Sequence, residues 1–252
     1  MDIRLVLAGL VVGTIAGMSG IGGSALLAPI LILLFGVKAS VAIGTDLVYS
    51  VPMKLFAAFV HIRQRTVDLR IVRYLATGGI PGSIVGLGAF AFLRARVPAA
   101  EMDHFLRHAI GVVILVAAAI ALAVHFAPRP ALAAENLRPL TTAGIGAIVG
   151  FLVAMTSIGS GSITLPFLML VLPALSLRVL IGSEIVFAAL IVPVAAAGHV
   201  AFSNVNWGMA LSLAIGAVPG AYLGAKLCAR LGERTLRPAI VVIIAYAGFK
   251  LL

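Results

Sequence analysis

The chain has 252 residues, 62% of them hydrophobic and only 10% charged, and it carries a net charge of +10. Soluble domains hold about 45–50% apolar and about 25% charged residues, so this composition excludes a soluble globular protein. The long apolar runs also exclude an outer-membrane barrel, whose strands alternate apolar and polar residues over about ten positions.

In chain order the pattern predicts a short apolar piece over 4–17, a glycine-rich interruption and a second short piece over 24–36. Fuller spans follow over 41–60, 70–93 and 104–126. Beyond a polar linker, the same order returns: short pieces over 143–155 and 161–173, then spans over 179–198, 207–229 and 235–252. A full helical crossing needs about 20 apolar residues, so the short pieces cannot each cross alone. The N-terminus superficially resembles a signal peptide, but its pattern recurs in mid-chain, so it reads as a structural element.

The two halves match residue by residue. Ile21-Gly22 and Pro29 align with Ile158-Gly159 and Pro166 at an offset of 137. After one added residue, Ile43-Gly44-Thr45-Asp46 aligns with Ile181-Gly182-Ser183-Glu184, and His61 with His199. Val67-Asp68 aligns with Val205-Asn206, and Gly78, Pro81, Gly82 and Gly86 with Gly216, Pro219, Gly220 and Gly224. The expected organisation is a first repeat over 1–126, a linker over 127–139 and a second repeat over 140–252.

Charge arbitrates between two topologies. If each pair of short pieces makes one crossing, the halves point the same way. If each pair is re-entrant, every half has three full crossings and the halves are inverted. Of the 17 Lys and Arg outside the spans, the inverted arrangement places 11 on the cytoplasmic side and 6 outside, whereas the parallel one gives 8 and 9. Loop 61–73 carries four arginines and the equivalent loop 199–207 none. The positive-inside rule favours inversion. The expected fold class is therefore an all-α polytopic membrane protein with two homologous, inverted repeats, each holding a glycine-broken helix pair and three full spans.

The break itself suggests chemistry. Inverted repeats with paired, glycine-interrupted segments are a recurring design of secondary transporters. Half-helices starting near Ser24 and Ser162 would point N-termini into the membrane, where free N–H groups and a partial positive charge favour an anion. Gly22, Gly23, Gly159 and Gly161 let a ligand approach the backbone. Ser19, Ser24, Thr156, Ser157, Ser160 and Ser162 add hydroxyls. The competing reading is that the glycines only permit close helix packing.

Several stretches carry a resemblance: "GMSGIGGSALLAPIL", "VAIGTDL", "HIRQRTVDLRI" and "GGIPGSIVG", then "SIGSGSITLPFL", "GHVAFSNVNW" and "GAVPGAYLG". Together they resemble the TauE/SafE sulfite-exporter family, also called the toluene-sulfonate uptake permease family, over almost the whole chain. The resemblance implies a membrane permease that moves small sulfur-containing anions, such as sulfite, thiosulfate or sulfoacetate, with a prokaryotic plasma (inner) membrane as its place. One departure stands out. The family often has Gly-Thr-Ser where this chain has Gly44-Thr45-Asp46 and Gly182-Ser183-Glu184.

Asp46, Lys54 and Glu184 lie within apolar spans, where a charge costs about 2.5–3.5 kcal/mol on insertion scales and is a functional candidate. Asp46 and Glu184 either couple transport to protons or cap helices next to Thr45 and Ser183. Lys54, opposite Val192 in the second half, binds substrate or neutralises a carboxylate. His61 and His199 close equivalent spans and read as interfacial hydrogen-bonders or accessory groups; His104, His108 and His125 read as peripheral. The small-residue faces Gly78/Gly82/Gly86 and Gly216/Gly220/Gly224 predict close helix contacts. The single Cys228 allows no internal disulfide. No metal-ligand constellation, cofactor motif, catalytic motif or P-loop is present, and the arginines read as topology signals rather than a nucleic-acid surface. The function expected is a secondary anion transporter working by alternating access around a midplane site, with an anion channel on the same scaffold as the alternative.

Overall fold

The computed structural model describes residues 2–19, 24–126, 137–231 and 242–252. Its helices are α1 (Ile3–Ser19), α2 (Ser24–Leu33), α3 (Ala39–Arg63), α4 (Leu69–Arg96), α5 (Ala99–Phe126), α6 (Pro139–Thr156), α7 (Thr164–Val171), α8 (Leu177–Ala201) and α9 (Trp207–Leu231), followed by α10 over 242–249. No strand occurs among the described residues. Helices dominate because hydrocarbon offers backbone groups no partner, and only a helix satisfies them within one segment. Among the described residues six helices, α3 to α6, α8 and α9, are long and apolar enough to cross a membrane; α6, expected as a short piece over 143–155, runs to 18 residues because Pro139 starts it four residues earlier. The chain is thus an all-α polytopic membrane protein. At about 1.5 Å per residue, α2 with 10 residues and α7 with 8 are too short to do so.

Observed boundaries lie within a few residues of the expected ones, with two informative differences. The spans are longer, and side-chain caps hold the starts of two of them. Asp68 accepts from the Arg70 amide at 2.8 Å before α4, and Ser176 from the Val179 amide at 3.4 Å before α8. The Arg70 guanidinium also bonds the Asp68 carboxylate at 2.9 Å and holds its pKa below the usual range. The last expected span, 235–252, is helical over 242–249, and its earlier part lies outside the described residues.

Glycine contacts fix the helix directions. A β-carbon at Gly78, Gly82 or Gly86 of α4 would overlap the backbone of Ala143, Ala147 or Phe151 of α6, so the two helices run parallel at near backbone contact. Gly216 and Gly220 of α9 meet Val6 and Leu10 of α1 in the same way, and Gly9 and Gly13 of α1 meet Leu213 and Ala217 of α9. Small residues permit this approach where lipid gives side chains little reason to associate. Along α4 and α8, Gly79 meets Phe187, Phe90 meets His199 and Arg94 meets Phe202, so this pair is parallel too. α3 and α8 are antiparallel: Gly44 faces the Asn204 carbonyl, and Gly182 that of Thr66. Gly111 and Ile114 of α5 meet Leu251 and Gly248 near α10, again antiparallel.

A consequence follows for the second break. α6 and α8 each run parallel to α4, so they cross in the same direction. A continuous α6–α7 crossing would make α8 run the opposite way. α7 therefore returns from the break toward the side on which α6 began.

Candidate functional site

α6 ends inside the protein. Ser157 takes a left-handed conformation (φ 62°) and its amide bonds the Val153 carbonyl at 2.8 Å. The Thr156 hydroxyl donates back to Leu152 at 2.8 Å and accepts from the Ile158 amide at 3.3 Å. Gly159 (φ 131°) and Gly161 (φ 99°) adopt backbone conformations that side chains rarely tolerate. The Gly159 carbonyl then anchors α7, accepting from the amides of Ile163 and Thr164 and from the Thr164 hydroxyl at 3.1–3.2 Å. The amides of Gly159, Ser160, Gly161 and Ser162 donate to no described group. Residues 156–162 are all buried. The Ser157 and Ser162 hydroxyls lack a hydrogen-bond partner.

The structure thus brings Thr156, Ser157, Gly159, Ser160, Gly161 and Ser162 into one buried turn. Pro166 falls in the first turn of α7, where no N–H is missed. Of the matching first-half residues, Ser19 ends α1 and Ser24 begins α2. Gly22 and Gly23 lie outside the described residues.

Asp46 and Glu184 each occupy the eighth position of their helix, α3 and α8, and both are fully buried. The capping alternative is therefore wrong for both. The α3 N-terminus is served instead by Asp103, which accepts from the Ala39 amide at 2.5 Å, and that of α8 by Ser176. Neither oxygen of either buried carboxylate has a hydrogen-bond partner. Lys54 Nζ stands 3.7 Å from Glu184 Oε1, so the ion pair joins α3 to α8 across the two halves. Lys54 and the Ser157 hydroxyl both act on the Asp46 carboxylate, the hydroxyl without reaching hydrogen-bond geometry.

The accessory candidates hold loops. The Thr45 hydroxyl accepts from the Asn206 amide at 3.1 Å, and the Ser183 hydroxyl from the Asp68 amide at 2.9 Å. Each hydroxyl pins the loop that follows the facing helix. Thr45→Ala or Ser183→Ala strands a loop amide, and each is expected to lower stability by about 1–2 kcal/mol without altering the pH dependence of uptake. Thermal unfolding in detergent beside a vesicle assay checks both statements. His61 pairs with the Thr66 hydroxyl at 2.8 Å. His199 is wholly buried rather than interfacial: Nε2 donates to the Ala154 carbonyl at 2.9 Å, and the ring packs edge-on against Phe90. His104 is exposed and His108 half-buried, and their rings pack together with centroids 4.1 Å apart; the side chain of His125 lies outside the described residues.

Sequence reasoning missed Asn204, Arg94 and Ser83. Arg94 donates to the Phe202 carbonyl and to Asn204 Oδ1, and Asn204 in turn faces His199 Nδ1 at 3.5 Å. Ser83 is buried with an unpartnered hydroxyl. Its position in a Gly-rich helix gave no polar periodicity to find it by. No group of three or more His, Cys, Asp or Glu capable of holding a metal occurs among the described residues.

Apolar helices around a buried, glycine-broken turn make a membrane protein, and its relatives place it among membrane transporters. Within that class the chain belongs to the TauE/SafE sulfite exporter family, whose family model matches residues 5–251. It is 35% identical to the "Probable membrane transporter protein YjnA" of Bacillus subtilis (strain 168), with 100% of both chains covered. It is 27% identical to "Probable membrane transporter protein YdhB" of the same organism over 98% of this chain and 99% of that one. "Probable membrane transporter protein YunE", also from that strain, is 26% identical over 95% of this chain and 92% of its own. No solved structure matches the chain. With such relatives and six helices long and apolar enough to cross a membrane among the described residues, the protein is an integral protein of a prokaryotic plasma membrane.

Proposed function

We propose that the protein is a secondary transporter of a small sulfur-containing anion, a sulfur oxyanion or an organosulfonate, moved by alternating access between two inverted repeats. One observation carries this reading: four successive amides, Gly159 to Ser162, stand unpaired at a buried helix start beside two unpartnered serine hydroxyls. Unsatisfied groups at membrane depth cost several kcal/mol each, and a small anion is the acceptor they fit. Dipoles and hydrogen bonds hold it without a full opposite charge, so it can also leave. The family's description as sulfite exporters points to the same substrate class.

The test is a thermal-shift screen of the purified protein with sulfite, sulfate, thiosulfate, sulfoacetate, taurine and chloride. A hit is then followed by saturable uptake into proteoliposomes. Stabilisation by one or more sulfur anions with saturable flux supports the reading. No shift with any sulfur anion, or flux that rises linearly without saturation, counts against it.

The inverted arrangement has its own test. Arg65 and Ser203 are exposed, left-handed residues (φ 55° and 56°) in the loops after α3 and α8. Cysteines placed there on a Cys228→Ala background are expected to react with an impermeant thiol reagent from opposite sides, Arg65→Cys from the cytoplasm. Labelling of both from one side would disprove inversion.

A further inference from the structure

Two carboxylates and one ammonium share the interior between α3, α8 and the second break, and they are not equivalent. Glu184 has an ion-pair partner in Lys54 at 3.7 Å. Asp46, fully buried, has no partner on either oxygen, and its polar neighbour is the unpartnered Ser157 hydroxyl that opens the break. We infer that Asp46 is the proton-carrying group of transport, that Lys54–Glu184 is a fixed ion pair joining the halves, and that one proton on Asp46 accompanies each anion into the second break. This rests on the break being the anion site.

Lys54 acts on both acids but contacts only Glu184. With both acids ionised, the cluster holds one uncompensated negative charge away from water. A buried carboxylate without a cation neutralises by taking up a proton. Among the described residues no other cation stands within ion-pair distance of either acid. α2 holds no ionisable residue, and on α5 the Asp103 and Arg107 side chains pair with each other at 2.7 Å. On α9 the described ionisable side chain is Tyr222, which is exposed. On α3 itself Tyr49, buried and three residues further along, is the titratable side chain nearest in sequence. The other titratable groups of α8 are Arg178 in its first turn and His199, which is bound to Ala154.

The site then works as a coupled pair. An ionised Asp46 beside Ser157 repels an anion arriving at the Gly159–Ser162 amides. A protonated Asp46 removes that repulsion and adds an O–H donor. The proton enters with the anion on one side and leaves from the same carboxyl on the other, so each crossing moves one negative charge fewer than the anion alone carries. The asymmetry is written in the sequence: Lys54 has Val192 as its counterpart in the second half, so only one acid is paired.

The experiment has two readouts, one of them free of substrate. Infrared spectra of the protein in lipid at neutral pH are expected to contain the carbonyl band of a buried protonated carboxylic acid. The band should be lost in Asp46→Asn and Asp46→Ser and kept in Glu184→Gln. In proteoliposomes, wild-type thiosulfate uptake is expected to fall with rising pH, by up to about tenfold per unit for one proton. Asp46→Asn should flatten this profile to less than about twofold, and Asp46→Glu should restore it. Asp46→Ser places the small hydroxyl side chain there if the amide variant does not fold. Absence of the band in the wild type, its loss in Glu184→Gln alone, an unchanged pH profile in both Asp46→Asn and Asp46→Ser, or uptake driven by sodium and indifferent to pH would overturn the assignment. A band that behaves as expected in a protein that takes up none of the screened sulfur anions would keep Asp46 as a buried protonated acid and reject the anion reading instead.

Discussion

Gly82→Val in α4 is expected to prevent the protein from accumulating in folded form, and Gly78→Val to do the same. A β-carbon at either position would lie inside the α6 backbone, at Ala147 and Ala143 respectively. A backbone cannot rotate aside as a long side chain can, so the two helices must separate along their whole contact. Overpacking a core costs about 1–3 kcal/mol and occasionally more. Here the lost surface includes the reciprocal contacts of Gly146 with Leu75 and of Gly150 with Gly79. The expected loss is therefore above about 3 kcal/mol, a large share of the roughly 5–15 kcal/mol that holds a typical protein together. Gly88→Ala on α4 and Gly144→Ala on α6 are the controls, because an added β-carbon there meets nothing within 4 Å. Detergent-extracted, size-resolved protein from the four variants decides the matter. Near wild-type amounts of monodisperse Gly82→Val would show that this helix contact is not what holds the fold.

Much of that contact was legible in the sequence, and the reason is physical. In lipid the helices are fixed by composition, and close packing requires small residues at four-residue spacing. Gly78, Gly82 and Gly86 announced a face, and Gly216, Gly220 and Gly224 a second one. What the spacing could not name was the partner, since α4 reaches across to α6 and α9 to α1. The broken segment was legible for the same reason: glycine, serine and proline have no use in a plain crossing. Its turn, Ser157 to Ser162, lies where the pattern placed it. The ionisable residues were found but assigned to too few partners. Lys54 was expected to bind substrate or neutralise a carboxylate, without a carboxylate being named, and it reaches Glu184 on α8. Sequence distance carries no information about a contact made by tertiary packing. His199 was misplaced at an interface because span ends are wet on average, and here α4 and α6 cover it with Phe90 and Ala154.

The last expectation concerns the break directly. Gly161→Val and Gly159→Ala should each reduce sulfur-anion uptake by at least about tenfold while leaving folded protein in the membrane. At φ 99° and 131° a side chain is strained, at about 1–3 kcal/mol per residue, which a folded protein survives. An alanine β-carbon at Gly159 has ordinary room, its nearest neighbours being Val153, Leu152 and Val149 at 3.5–3.8 Å. The turn therefore relieves the strain by rotating its peptides, and those peptides carry the free amides of Gly159 to Ser162. Misaimed amides lose several hydrogen bonds to the anion at once, whereas Ser162→Ala loses one, about 0.5–1.5 kcal/mol and so no more than roughly tenfold in affinity. Gly36→Ala separates strain from function. Gly36 is also left-handed (φ 62°), with nothing within 4 Å of an added β-carbon, and it lies in the loop between α2 and α3. It should lose a similar increment of stability and no transport. If the Gly159 and Gly161 variants carry the anion at wild-type rates with wild-type affinity, the anion passes by a route that does not touch the second break.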